Sequence, residues 1–262
     1  MYRQRIEHTT AKSEGAQRLQ RALLNYHDQQ LELKASPILP QRMALSAWQS
    51  ARLRQTHDDL HQNDDFRPGL EFLLSDLYAP QDFSARDNNL ERIFPKLVKY
   101  LPDKVLHTIA QLVELNHLTQ ALDQQLAHVL FDLAGDAPIQ IDAYCTAYRA
   151  CDNAAQRLHQ IEQIGETGRL LDRYARSTFL LYSLKLAEGA AEMAGLAALH
   201  AFLMRGFEAF HQMQDVPTLM QTLAQRETAI LHRILNQHPD PFELPETFAL
   251  QPLAEIGNPA HV

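Results

Sequence analysis

The sequence is short of the residues that build phosphate-binding loops, disulfide frameworks and thiol redox motifs. It has nine glycines in 262 residues, and it contains no G-x-S-x-G elbow, phosphate-cradling glycine loop or dinucleotide fingerprint. The two cysteines, Cys145 and Cys151, are too far apart for a C-x-x-C pair, and two thiols cannot form a disulfide framework. These absences leave no recognisable motif for nucleophilic, nucleotide-dependent or thiol-dependent catalysis.

The chain also lacks an excess of positive charge and long apolar runs. Its 24 Lys and Arg residues are outnumbered by 32 Asp and Glu residues, so the formal net charge is −8 and attraction to phosphate backbones or anionic lipids is weak. No stretch holds about 18 uninterrupted apolar residues, and the opening MYRQRIEHTTAKSEG contains no apolar signal-peptide core. We therefore expect a cytoplasmic protein that binds neither nucleic acid nor membrane.

The apolar residues that are present recur with the period of an α-helix, and no segment alternates as a strand does. Thirteen prolines fall mostly where this period breaks. The pattern predicts an all-α fold, a single bundle of about eight or nine helices. We divide the chain into a polar N-terminal helical hairpin at 1–65, a helical core at 66–236 and a proline-rich tail at 237–262. Within the core, Gly165 and Gly168 are expected to bracket a turn.

Two neighbouring motifs give the sequence a family resemblance. The segment FLLSDLY at 72–78 fits the pattern F-L-x-x-x-L-Y, and DFSARD at 82–87 fits D-F-x-x-R-D. Further echoes are AYCTAYRACD, FLMRGFEAFHQM and AQRETAIL. Over residues 66–235 the chain thus resembles a family of uncharacterised proteobacterial helical proteins, a domain of unknown function. The resemblance implies one helical domain and carries over no activity, cofactor or catalytic residue.

Two Glu-x-x-His pairs raise the question of a metal site. Glu114 with His117, and Glu208 with His211, have the spacing that ferritin-like bundles use to hold two metal ions. Glu208, however, is turned away from the apolar stripe of its helix, and such a site needs two more inward carboxylates. We therefore favour no metal and no cofactor. The alternative hypothesis is a metal-dependent, di-iron-like oxidoreductase that uses Glu114 and His117.

The segment HDDLH at 57–61 places two histidines one helical turn apart, which is the zinc-binding spacing of H-E-x-x-H metalloproteases. Asp58 stands where that motif needs Glu, and its shorter side chain would misplace a general base. The surrounding segment is strongly polar, so we interpret it as a solvated helix face.

Arg86 lies between apolar residues on one face of its predicted helix, where an unpaired guanidinium would be costly. We expect a carboxylate partner, and the candidates are Glu227, Asp123 and Asp76. Such a pair would either fix the helix register, which we favour, or belong to an anion or polar-ligand site. The ligand-binding candidates are Arg86, Asp87, Tyr144, Tyr148 and Glu227.

These patterns favour a binding or scaffolding module, without enzymatic activity, for a protein partner or a small apolar ligand held between helices. Small residues permit a close helix contact, which leads us to expect a homodimer. These residues are Gly189, Gly195, Ala198 and Ala201. The competing class remains the di-iron-like oxidoreductase.

Overall fold

The fold is that of a computed structural model, which describes residues 2–77, 84–135 and 137–245, without the side chains at positions 2, 76–77, 84–91 and 171. The helices in these residues are α1 (Tyr2–Glu7), α2 (Glu14–Ala35), α3 (Leu39–Thr56), α4 (Asp58–Gln62), α5 (Arg67–Phe72), α6 (Ser84–Tyr100), α7 (Asp103–Ala134), α8 (Ile141–Ala150), α9 (Ala154–Ala175), α10 (Thr178–Met193), α11 (Ala197–Gln212) and α12 (Val216–Leu235). A π-helical turn at Leu73–Leu77 continues α5.

The predicted all-α bundle is confirmed, since the described residues contain no strand. Their helices outnumber the eight or nine expected because α1, α4 and α5 are short segments of five or six residues each. None of the described helices combines the length and the apolar character needed to span a membrane.

Local sequence signals start several of these helices. The side chains of Ser13, Ser177 and Asp215 accept hydrogen bonds at 3.1–3.3 Å from backbone N–H groups three residues further on. They cap α2, α10 and α12. Pro40 and Pro217 lie in the first turns of α3 and α12, where a missing N–H loses no helical hydrogen bond. Short-range chemistry therefore fixes where the apolar faces begin.

The 32-residue helix α7 is the centre of the packing. Helix α2 lies along it, α3, α8 and α9 also contact it, and α12 packs along α9. Three apolar clusters fill the interior: the first joins α5 to α11 and α12, the second joins α1, α2 and α6 to α7, and the third joins α3, α7, α8 and α12. Phe242 and Leu244 pack on the third cluster, so residues from all three predicted parts of the chain contact one another. The three-part division itself stays a prediction.

The turn predicted at Gly165 and Gly168 is wrong, because both glycines lie inside α9. A Cβ on Gly168 would come within 2.0 Å of the Cγ of Met220 on α12, so glycine allows the two helices to pack closely. The chain turns earlier, between α8 and α9, where Asp152 has a φ of +49°. Glycine at this place marks a helix contact and not a chain reversal.

Candidate functional site

A cavity of about 710 Å³ lies among α2, α3, α7, α8, α9 and α12, and we call it the chamber. Its polar lining consists of Gln30, Lys34, Arg42, Ser46, Gln49, Arg52, His57, Asn116, Thr119, Gln120, Asp123, Arg157, Gln160 and Glu227. Part of its apolar lining belongs to the first cluster or packs against it: Leu53, Leu70, Leu73, Leu74, Ile164 and Leu223. The chamber therefore offers both charged groups and an apolar wall.

Glu227 on α12 is the acceptor of the first buried network. Arg52 Nη1 donates to both carboxylate oxygens, at 2.6 and 2.8 Å. His57 Nε2 lies 2.9 Å from Oε1, and it must be the donor because an ionised carboxylate can only accept. Burial alone would raise the pKa of Glu227, but the charge of Arg52 and the hydrogen bonds from His57 and Arg52 lower it to about 2. At neutral pH the chamber therefore holds an ionised Glu227.

Arg157 on α9 organises a second buried network. Its Nη1 donates to Asp123 Oδ1 at 3.0 Å and to Gln160 Oε1 at 3.2 Å, and its Nη2 donates to the carbonyl of Leu122 at 3.0 Å. Gln160 in turn donates to Thr119 Oγ1 at 2.8 Å. Burial opposes the charge of Arg157, yet the nearby Asp123 raises its pKa above the usual value. This network ties α7 to α9 through side chains that face the chamber.

Tyr144 and Tyr148 of α8 form an aromatic part of the lining. The ring of Tyr144 lies 4.3 Å from that of Trp48 and 5.7 Å from that of Tyr148. Phe242, which follows α12, lies 6.1 Å from Tyr144 and 5.4 Å from the guanidinium carbon of Arg52. Burial raises the pKa of both tyrosines, so their hydroxyl groups are neutral at physiological pH.

Lys34 and Arg42 differ from Arg52 and Arg157 because neither has a carboxylate partner among the described residues. Lys34 is exposed in the last turn of α2, and Arg42 is half-buried near the start of α3. The Nε of Arg42 is buried and makes no hydrogen bond within the described part of the chain. Burial lowers the pKa of Arg42, and the charge of Asp123 opposes this only in part.

Some of the residues predicted from the sequence to bind a ligand line the chamber. Three of the five ligand-binding candidates line the chamber: Tyr144, Tyr148 and Glu227. The side chains of the other two, Arg86 and Asp87, lie outside the described residues, as does that of Asp76. Glu227 and Asp123, both named as candidate partners of Arg86, bind other arginines.

The two Glu-x-x-His pairs do not line the chamber. Glu114 forms a bidentate ion pair with Arg18 of α2, at 2.6 and 3.0 Å, and His117 lies one turn further along α7. Glu208 is exposed on α11, and His211 Nδ1 donates to a backbone carbonyl at 2.6 Å. Within the described ranges, no three side chains of His, Cys, Asp or Glu are grouped as a metal site requires. The oxidoreductase alternative stays a hypothesis.

The solvated face predicted for HDDLH is wrong at two positions. His57 and Leu60 are both fully buried, and His57 contacts Glu227. Asp59 in the same segment forms a bidentate pair with the buried Arg226, at 2.7 Å for each contact. The polar side chains of this segment therefore face charged residues of α12 as well as water.

The fold and the chamber together define an all-α protein with a charged internal cavity. A family model described as Domain of unknown function (DUF8198) matches residues 28–241, which is well over half of the chain. The chain therefore belongs to this family. The match begins within α2, before the resemblance noted at 66–235, and it includes every chamber residue named above. No curated protein and no solved structure matches the chain.

Proposed function

We propose that the protein binds a small organic molecule, with both polar and apolar groups, in the chamber. The main support for this proposal is the volume and the lining of the chamber. Its volume of about 710 Å³ falls within the range of roughly 300–1,000 Å³ that is typical of ligand pockets. Such pockets are lined mainly by apolar side chains with a few convergent polar groups, and the chamber has both kinds of lining.

Buried polar atoms without a partner support the presence of a ligand. The Nε atoms of Arg42, Arg52 and Arg157 and the Nδ1 atom of His57 are buried and make no hydrogen bond within the described part of the chain. All four residues line the chamber. A buried unpaired polar atom costs about 1–3 kcal/mol, so the fold holds these four side chains against the chamber at a cost that its own hydrogen bonds do not offset.

Binding of the neutral dye Nile red, whose emission rises in apolar surroundings, tests this proposal. We expect wild-type protein to bind one dye per chain, with a change in the fluorescence of Trp48, whose ring lies 4.3 Å from that of the lining residue Tyr144. Ala224→Phe places a ring in the chamber and should weaken binding at least about tenfold. Ala51→Phe adds the same ring to an exposed position of α3 and is the matched control. No dye binding by wild type, or equal binding by the two variants, would contradict a chamber-binding function.

We also propose that the chain forms a homodimer through one face of α10. On this face Phe179, Tyr182, Leu186 and Met193 are 66–92% exposed. Together with Gly189 they alternate at spacings of three and four residues, which is the seam pattern of a coiled coil. Aromatic side chains bury roughly 150–250 Å² each, so this face could supply much of the roughly 800 Å² per partner that a stable interface needs.

An antiparallel contact about the middle of α10 makes this face complementary to itself. When Leu186 packs on the partner's Gly189, Lys185 lies opposite the partner's Glu192 and the charges attract. The space beside Gly189 is open, since a Cβ there would meet no described atom within 4 Å. The other predicted contact glycine, Gly195, has a φ of +64° and follows the end of α10.

The oligomeric state and a charge reversal test the dimer. We expect light scattering to give twice the chain mass of 29.9 kDa. Lys185→Glu places a glutamate opposite Glu192 at both symmetry-related contacts, so it should raise the dissociation constant of the dimer at least about tenfold. The double variant, Lys185→Glu with Glu192→Lys, should restore the dimer. Glu188→Lys, exposed on the outer side of α10, is the control. A monomer mass at tens of micromolar would contradict this contact.

The cellular setting is proposed from composition alone. A cytoplasmic location rests on the two cysteines, which do not suit a disulfide framework. The expected lack of nucleic-acid binding rests on the net charge of −8.

A further inference from the structure

The charges that line the chamber do not balance. Four cations and two carboxylates leave a local charge of 4 − 2 = +2, with His57 counted as neutral. They are Lys34, Arg42, Arg52, Arg157, Asp123 and Glu227. The whole chain, in contrast, carries −8. The positive excess is therefore a property of the chamber and not of the protein as a whole.

The two carboxylates of the chamber are already engaged. Glu227 accepts from Arg52 at 2.6 Å, and Asp123 accepts from Arg157 at 3.0 Å. The excess positive charge therefore lies on the remaining two cations, Lys34 and Arg42. Only Arg42 is withdrawn from solvent, because its Nε is buried while Lys34 is exposed.

Arg42 is the unusual member of this set. A guanidinium cannot lose its proton at accessible pH, so burial without a counter-ion has to be tolerated as a cost. Arg42 makes neither a side-chain hydrogen bond nor an ion pair within the described residues, and the charge of Asp123 offsets this cost only in part. Leu39, the first residue of α3, also lines the chamber, and no side chain caps the start of this helix. The positive end of the α3 dipole therefore adds to the attraction for a negative group.

We propose that the ligand of the chamber carries a carboxylate or phosphate group and that the guanidinium of Arg42 binds it. The planar fork of arginine donates two parallel hydrogen bonds to either group, and such charge-assisted bonds are among the stronger polar contacts in proteins. Lys34 supplies a second positive charge beside it. This inference rests on the proposed chamber-binding function and specifies its ligand class.

The apolar lining sets the rest of the ligand. Leu70, Leu73 and Leu74 come from α5 and the π-helical turn that continues it, and they belong to the first apolar cluster. Burial of hydrocarbon against such a wall is favourable in proportion to the apolar area that is removed from water. A molecule with an acidic head and a hydrocarbon body, an amphipathic organic acid or phosphate monoester, matches both parts of the lining.

Displacement of Nile red by three eight-carbon compounds tests the acidic head, because their alkyl chains differ by at most one carbon. We expect octanoate or octyl phosphate to displace the dye at concentrations at least about tenfold lower than 1-octanol does. The stronger of the two acids identifies which anionic group the chamber prefers. Arg42→Gln should reduce the preference for the acid to less than about threefold and leave 1-octanol unchanged. Arg54→Gln makes the same change at an exposed position of α3 and should keep the full preference.

A second variant distinguishes loss of the guanidinium from misfolding. Arg42→Lys keeps the charge without the planar fork, so it should retain an intermediate preference for the acid. If wild type binds Nile red but all three compounds displace it equally, the anion inference is overturned while chamber binding stands. If Arg42→Gln still prefers the acid as strongly as wild type does, another cation binds the anion, and the proposed role of Arg42 is wrong. Failure of the dye itself to bind would instead remove the proposed function.

Discussion

Glu227→Ala is expected to lower the free energy of unfolding by about 3–5 kcal/mol, because it removes the common acceptor of two buried side chains. Arg52 is 13% exposed and His57 is fully buried, so water can replace these contacts only in part. Arg52 also stays protonated, since its guanidinium does not titrate at accessible pH. Urea denaturation followed by circular dichroism at pH 7 measures the loss.

Glu162→Ala is the matched control for this loss. Glu162 lies on α9 with 64% of its side chain exposed, and the His159 nitrogen beside it is 4.0 Å away. We expect its removal to change the free energy of unfolding by less than about 0.5 kcal/mol. A loss below about 1 kcal/mol for Glu227→Ala would contradict a buried, paired carboxylate.

The same carboxylate makes stability depend on acid pH. The pKa of Glu227 falls from an ordinary 4.5 to about 2 in the folded protein. A depressed pKa means that the unfolded chain takes up the proton first, so this contribution is complete above about pH 4.5 and is lost as the pH falls towards 2. Denaturation measured between neutral and acid pH should therefore show a steeper loss in wild type than in Glu227→Gln, which cannot titrate.

The fold class could be predicted because its signal is local. Leu219, Leu223, Ile230 and Ile234 follow the three-to-four-residue spacing of one helix face, and all are buried in α12. Each of these residues needs only its neighbours in sequence to show where it faces. Glu227 shares that face between Leu223 and Leu231, which is why it could be chosen as an inward carboxylate from sequence.

The partners of these inward groups could not be predicted, because they are distant in sequence. Arg52 and His57 are 175 and 170 positions from Glu227, so no local pattern joins them. One weak signal existed: Arg52 follows the fully buried Leu45 by seven residues, which places both on one face of α3. The polar composition around HDDLH hid this signal, since buried polar residues that have partners look like surface residues in a sequence.

Arg157→Ala is the second large effect that we expect, with a loss of about 3–5 kcal/mol in the free energy of unfolding. The change removes the donors that satisfy Asp123, Gln160 and the carbonyl of Leu122. Among the described residues, Asp123 would keep only the longer contact from Gln49, at 3.4 Å. Denaturation under the same conditions as for Glu227→Ala measures this effect, and thermal melting gives an independent check.

Arg18→Ala is the control that separates burial from distance. The Arg18–Glu114 pair is closer than the Arg157–Asp123 pair, at 2.6 against 3.0 Å, but its side chains are 36% and 37% exposed against 6% and 24%. Water screens the exposed pair, so we expect its loss to cost no more than about 1 kcal/mol. Equal losses for the two variants would show that Arg157 is not buried in solution. A difference of at least about 2 kcal/mol would show that the polar wall of the chamber is held in place by buried partners, which is the rigidity that binding an anion at Arg42 requires.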